Sequence, residues 1–227
     1  MGNSNPGSDQ KSSSTGETKR KLSSAIVRRL PRYLLYLQRL KSCGVKWISS
    51  QEIANFLELT PSTVRQDLSV LKITGFAKRG YEVDRLERSL YNVMGTESAS
   101  EIAIIGAGHL GTAFAAQEEF AKRGLHIFSL YDQNPNIIGQ YVSSVEIKDI
   151  KDLPEDIKKH NIQLGVIAVP PTAAQEVCDL MVEAGIKGIL NLALIHISTP
   201  DHVEVKDARL VIALQELVYR VTTKESD

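Results

Sequence analysis

Ile102-Ala103-Ile104-Ile105-Gly106-Ala107-Gly108-His109-Leu110-Gly111 decides the fold of the second half of this chain. Four apolar residues in a row are typical of a strand buried on both faces of a parallel sheet. Gly106-x-Gly108-x-x-Gly111 follows at once, and Thr112 to Lys122 then has helical spacing in Ala113, Ala116 and Phe120. In a strand–loop–helix unit of this kind the first glycine makes a tight turn and the second lets backbone approach a pyrophosphate. The third lets helix and strand pack closely, while the helix start faces the negative charge. Gly106, Ala107, Gly108, His109, Leu110 and Gly111 are therefore candidate dinucleotide contacts. The run Leu125 to Tyr131 reads as a second strand ending in Asp132, 21 positions after Gly111. A carboxylate there accepts both hydroxyls of the adenosine ribose and repels a 2′-phosphate, which favours NAD(H) over NADP(H).

The alternation continues. Asp149 to His160 reads as a short helix, Ile162 to Val169 as a buried strand closed by Pro170-Pro171, and Thr172 to Ala184 as a helix. Gly188 to Leu192 reads as a strand and Leu210 to Arg220 as a terminal helix. Strand ends at Val169, Pro170 and Asn191 would line the carboxyl edge, where cofactors bind in doubly wound sheets. The fold class is α/β, with a Rossmann-type doubly wound parallel sheet over residues 101–208 and a C-terminal helix within 209–227.

Ahead of the fingerprint the chain changes character. From Ser24 to Ser42, Ile26, Leu30, Leu34, Leu37 and Leu40 recur at helical spacing with arginines between them, and Gly44 ends the run. Ser49-x-x-Glu52 is a capping-box pattern that opens a short helix carrying Ile53, Ala54 and Leu57. After Glu58-Leu59, Thr60 suits an N-cap and Pro61 the first position of a third helix running to about Ile73, with Val64, Leu68 and Leu71 turned inward. Its other face presents Ser62, Thr63, Arg65, Gln66 and Ser69, short polar groups that reach phosphates and major-groove base edges; Ser50 at the start of the second helix joins them. Phe76 to Val83 reads as a hairpin with Lys78 and Arg79 near its tip, a basic wing for backbone or minor-groove contacts. Residues 24–94 thus form a winged helix-turn-helix, with 1–23 a disordered tail and 95–100 a small-residue linker.

Charge supports this division. Residues 1–95 hold 16 Lys+Arg against 8 Asp+Glu, and residues 96–227 hold 11 against 19, so a basic half and an acidic half cancel to a net charge of zero. A basic segment joined to an acidic one suggests a polyanion partner for the first. Cys43 and Cys178 lie far apart and outside metal-ligand or Cys-x-x-Cys spacing, as expected of free thiols in a reducing compartment. No apolar run approaches the roughly 20 residues needed to span a bilayer, and the first residues carry no signal-peptide core, so a soluble, cytoplasmic protein with no membrane partner is expected.

A dehydrogenase needs a substrate lobe and an acid or base beside the nicotinamide. The second half is spent on the nucleotide domain, and His109, His126, His160, His196 and His202 form no spaced cluster. A DNA-binding regulator is the better reading; a small NAD-dependent oxidoreductase with a fused DNA-binding module is the alternative, and a repressor whose sheet serves only dimerisation is a third.

The two halves together resemble the Rex family of redox-sensing transcriptional repressors. The resemblance rests on Arg29-Leu30-Pro31-x-Tyr33, Ser49-Ser50-Gln51-Glu52, Thr63-Val64-Arg65-Gln66-Asp67-Leu68-Ser69 and Gly80-Tyr81-x-Val83. Further on, it rests on the glycine loop, Asp132, Val169-Pro170, Ala184-Gly-Ile-Lys-Gly-Ile-Leu-Asn191 and Leu214-Gln-x-Leu-Val-Tyr219. It implies a homodimer with exchanged C-terminal helices that binds palindromic operator DNA when NADH is scarce and leaves it when NADH closes the dimer. Three departures stand out. Val70-Leu71-Lys72 replaces the family's Tyr-Phe-Gly, Gln117 a tyrosine near the nicotinamide, and Leu35 and Arg209 an arginine–aspartate pair between subunits. The implied switch is a weakened one.

Overall fold

The computed structural model describes residues 22–95 and 100–224. It divides into two units, Met1–Leu90 and Tyr91–Asp227. Most of the expected N-terminal tail, and residues 96–99 of the expected linker, lie outside the described residues.

The first unit is built on α1 (Ser24–Ser42), whose start is capped by Ser23 and whose apolar stripe buries Ile26, Leu30, Tyr33, Leu34 and Leu37. A two-residue strand, β1 (Trp47–Ile48), leads into α2 (Ser50–Leu57). Both halves of the Ser49–Glu52 capping box form, and the two bonds from Ser49 hold the Glu52 carboxyl below its ordinary range. After Glu58, in the left-handed region, comes α3 (Pro61–Val70), capped by Thr60 with proline at its first position. This helix stops three residues short of the expected Ile73, because Lys72 turns left-handed (φ 58°) and Ile73 N–H bonds back to Leu68. Then β2 (Tyr81–Glu82) pairs antiparallel with β1, and α4 (Val83–Met94) follows. A hairpin confined to Phe76–Val83 is the expectation. Here a single Phe76–Gly80 bridge closes the tip, and the ladder forms to Trp47–Ile48.

The second unit opens with β3 (Ser100–Ile105), then α5 (His109–Ala115), α6 (Glu118–Ala121), β4 (Leu125–Asp132), β5 (Tyr141–Val142) and β6 (Val145–Asp149). A 3-10 turn leads to α7 (Leu153–His160), and β7 (Leu164–Ile167), α8 (Ala174–Ala184), β8 (Gly188–Asn191), β9 (Glu204–Asp207) and α9 (Leu210–Lys224) complete it. The strand order is β5-β6-β4-β3-β7-β8-β9, parallel throughout except for the edge strand β5. Connections run outward in opposite directions from β3 and β7, so the switch point lies between their carboxyl ends. Alternate residues of β3 feed two cores. Ala103 and Ile105 pack with Leu153, Ile157, Val177 and Met181 of α7 and α8, while Ile102 and Ile104 pack with Leu130, Ile147 and Val166.

Two expectations are corrected. The helix expected over Thr112–Lys122 is two short ones broken at Gln117 (ψ 98°), and Ala113 and Ala116 face solvent, while Gly111 and Ala115 are buried. The break lets Phe114 and Phe120 meet at 4.5 Å between ring centres, which residues six apart on one continuous helix could not do. The helix expected from Asp149 begins only at Leu153, because Val145–Asp149 is the strand beside β4. Among the described residues no helix is long and apolar enough to cross a membrane.

Candidate dinucleotide cleft and nucleic-acid interface

The carboxyl ends of β3 and β7 open into a cleft of about 410 Å³. Gly106 turns the chain there at φ +104°, and a side chain at this position would run into the Ala168 carbonyl at 2.5 Å. A Cβ on Gly111 would sit 1.9 Å from the Gly106 carbonyl, so the helix can lie on the turn only with glycine at that place. At Gly108 a Cβ would meet nothing within 4 Å, which leaves bare backbone facing open space. Asp132, at the end of β4, accepts the Ala107 N–H at 2.8 Å and the Asn134 N–H at 2.9 Å, and each oxygen keeps further acceptor capacity. A bare glycine turn beside an accepting carboxylate fits the pyrophosphate and ribose of a dinucleotide.

Of the residues singled out in the sequence, Gly106, Gly108, Asp132, Val169 and Pro170 line this cleft. Ala107 and Gly111 are buried in the turn, and His109 and Leu110 are exposed at the start of α5. Asn191 does not face the cleft. It is fully buried, donates to Ile195 O and to Asp207 Oδ1, and accepts the Ala193 N–H, so it ties the ends of β8 and β9 together. The lining also includes residues outside the sequence-predicted set, among them Tyr131, Gln133, Ile150, Glu176 and Leu180. Glu176 and Leu180 share a face of α8 at i, i+4 spacing, and Gln133 directly follows the acid, which are the signals that could have found them.

Tyr131 forms part of the floor. Its hydroxyl donates to Asp156 Oδ2 at 2.8 Å, and Lys148 Nζ donates to the same oxygen at 2.8 Å. Burial and the bond to Asp156 push the Tyr131 hydroxyl well above its ordinary range. For Asp156 burial works the other way from its hydrogen bonds. The bonds from Lys148 and Tyr131 prevail and hold the carboxyl below the usual carboxylate range.

In the first unit α3 presents Ser62, Arg65, Gln66 and Ser69 to solvent, with Thr63 and Ser50 half-buried. Arg65 Nη1 donates to Ser50 Oγ at 3.2 Å, and Thr63 N–H donates to Thr60 Oγ1 at 3.1 Å. Lys78 and Arg79 are exposed at the wing tip, where Gly80 (φ +83°) packs so close that a Cβ would meet the Ile48 carbonyl at 2.2 Å. Behind the exposed face lies a contact between residues far apart in sequence. Arg29 Nε and Nη2 each donate to Asp67 at 2.6 Å, and Tyr33 Oη donates to the same carboxylate at 2.9 Å. The bond to Asp67 raises the Arg29 guanidinium against the opposing effect of burial, and burial followed by the same carboxylate pushes the Tyr33 hydroxyl up. The helix that presents Arg65 and Gln66 is thereby pinned to α1 by a bidentate, charge-assisted pair.

Comparison with known proteins bears on both units. Residues 97–195 match a family described as CoA binding domain, and residues 21–69 one described as putative DNA-binding protein N-terminus. The redox-sensing transcriptional repressor Rex of Clostridium perfringens is 36% identical over 203 residues, covering 89% of this chain and 96% of its own. The crystal structure of RSP with β-NAD+ and operator DNA has a TM-score of 0.84 at 35% identity, over 91% of this chain and 95% of RSP. The structure of RSP with β-NADH scores 0.81 at the same identity, over 90% and 96%. This likeness runs through both units, and the chain belongs to the Rex family of redox-sensing transcriptional repressors.

Proposed function

We propose that this chain is a repressor that binds double-stranded operator DNA as a homodimer and holds NAD(H) as the ligand that sets its affinity for that DNA. The observation that carries the reading is the bare Gly108 backbone beside Asp132, in a chain whose other unit exposes Arg65 and Gln66 on a braced helix. In the cleft, Gly106 to Gly108 would receive the pyrophosphate, Asp132 the adenosine ribose, and Val169 and Pro170 the side of the ligand beyond the switch point. On the DNA, Arg65, Gln66, Ser62, Thr63 and Ser69 would face the major groove, with Ser50 steadying Arg65 and with Lys78 and Arg79 on the backbone or minor groove. RSP, seen with operator DNA and NAD+ and with NADH, supports the pairing of ligands. The α9 side chains from Leu210 to Thr223 are all exposed, as expected of a helix that packs on the partner copy.

We read the protein as a sensor rather than an enzyme, acting in the cytoplasm. Continuous consumption of NADH with simple aldehydes or ketones would overturn that. We also read the switch as shallow. Gln117 is exposed at the break between α5 and α6 and lies outside the cleft lining, and Leu35 is exposed and has no charge to offer. Arg209 pairs with Asp207 of its own chain at 3.2 Å. A ligand shifts an equilibrium only by its differential affinity for the two states. We expect NADH and NAD+ to differ by less than about tenfold in driving release, or roughly 1.4 kcal/mol of coupling. Operator binding measured across NADH/NAD+ ratios at fixed total nucleotide tests both statements. Release without any nucleotide dependence would remove the sensor reading, and steep release by NADH with NAD+ inert would remove the shallow switch.

A further inference from the structure

We propose that Trp47 is a positioning residue for the wing, its indole carrying the Arg79 guanidinium so that this cation is oriented before DNA arrives. The proposal rests on the reading of the first unit as a DNA-binding module. Arg79 Cζ lies 5.2 Å from the centre of the Trp47 ring. Phe76 meets the same indole edge-on, with centres 5.3 Å apart and planes at 84°, and Arg85 Cζ lies 5.7 Å over the Phe76 ring. Cation, aromatic, aromatic and cation thus form one continuous chain of contacts from Arg79 to Arg85. Its base is fixed by backbone, because Trp47 pairs with Glu82 in the β1–β2 ladder.

The chemistry of this stack suits a phosphate contact. A guanidinium held over an indole ring makes no hydrogen bond to it, so its N–H donors stay free for a phosphate oxygen to accept from. An arginine loose in water must give up rotamer freedom when it binds, whereas one already stacked has given up part of it. The two wing cations therefore do different things. Lys78, exposed and in the left-handed region at φ 62°, has no aromatic partner among the described residues. Arg79 is presented ready.

Trp47 is the only tryptophan of the chain, which supplies a readout that needs no DNA. Two measurements on the full chain decide the matter: acrylamide quenching of tryptophan fluorescence in wild type and Arg79→Ala, and binding of a labelled mixed-sequence duplex by wild type, Arg79→Ala, Trp47→Leu, Trp47→Phe and the Arg79→Ala/Trp47→Leu double variant. Loss of the stack is expected to expose Trp47 to quencher in Arg79→Ala. Trp47→Leu is expected to weaken duplex binding about two- to fivefold, the range of an exposed cation–π contact, with Trp47→Phe keeping most of the affinity. In the Arg79→Ala background Trp47→Leu is expected to cost nothing more. Equal losses in both backgrounds would mean that Trp47 serves only the fold of the wing, and unchanged quenching in Arg79→Ala would mean that the stack does not exist in solution; either overturns the proposal alone. Failure of the wild-type chain to bind any duplex, with Trp47 still shielded, overturns the DNA reading and the proposal with it.

Discussion

Replacing Asp67 by alanine tests whether the DNA-facing helix is held from behind by charge. The carboxylate is 3% exposed and the Arg29 side chain 20% exposed, and three donors converge on it at 2.6, 2.6 and 2.9 Å. Counting each charge-assisted bond at about 1.5–3 kcal/mol would give an inflated total, since two of them belong to one guanidinium. Removing one partner of a buried pair costs about 3–5 kcal/mol, mostly through the charge left behind. Water can reach the partly exposed Arg29, so the low end, about 3 kcal/mol, is expected. In a unit of this size that lowers Tm by roughly 12–24 °C. Tyr33→Phe, which removes one donor and keeps the ring, should cost about 1.5 kcal/mol, the low end for a bond to a charged group. The double replacement Arg29→Met, Asp67→Leu removes both charges and should recover most of the stability, because an apolar pair of similar volume is about as good as a buried ion pair. Scanning calorimetry on the set reads all of this. An Asp67→Ala loss below about 1 kcal/mol, or a double variant no better than Asp67→Ala, refutes the reasoning.

At the DNA surface, Arg65→Ala should cost about 1–3 kcal/mol on the operator and relax sequence preference, whereas Lys78→Ala should weaken all duplexes alike and reduce the salt slope by about one. Equal slopes for wild type and Lys78→Ala would take the wing out of the interface. Asp132→Ala should weaken NADH by about 1.5–3 kcal/mol for each ribose bond lost, and calorimetry showing wild type binding NADPH as tightly as NADH would contradict the ribose assignment. The folded state depresses the Asp156 carboxyl, so its contribution to stability is present above the unfolded pKa of about 3.9 and disappears as pH falls through the lower folded value. Thermal unfolding followed downward from pH 5 should therefore show an acid slope that Asp156→Asn flattens, and an unchanged slope would mean that Lys148 and Tyr131 do not act through this group.

The capping box at Ser49–Glu52, the proline start of α3 and the glycine turn at 106–111 were legible because each is a local rule read within a few residues. The apolar strands at the centre of the sheet were legible for the same reason, since burial on both faces leaves a run of Ile, Ala, Val and Leu. Strands at and next to the sheet's edges leave less. Val145-Glu-Ile-Lys-Asp149 does alternate, and its buried Val145 and Ile147 could have been read. Glu204-Val-Lys-Asp207 has one apolar residue and no readable period. The break at Gln117 goes with a Phe114–Phe120 contact that no spacing announces. The same holds for the site. Asp132 closes its strand, a position that a local rule singles out, but the role of Asn191 depended on where Asp207 and Ile195 lay in space. Arg29, Tyr33 and Asp67 all stood in quoted motifs, yet their meeting spans 38 residues of sequence.

The exposed face of α9 has a consequence for how much protein the system needs. Leu210, Leu214, Leu217, Val218 and Tyr219 are 57–74% exposed, a large apolar load for one helix to leave in water. Each such side chain contributes roughly 1.5–3 kcal/mol when fully covered. If a second copy supplies the cover, mass action makes the melting temperature climb with protein concentration, and dilution alone loosens the terminus. Abundance then becomes part of the set point: the number of molecules, as well as the nucleotide ratio, decides how many are assembled well enough to grip an operator.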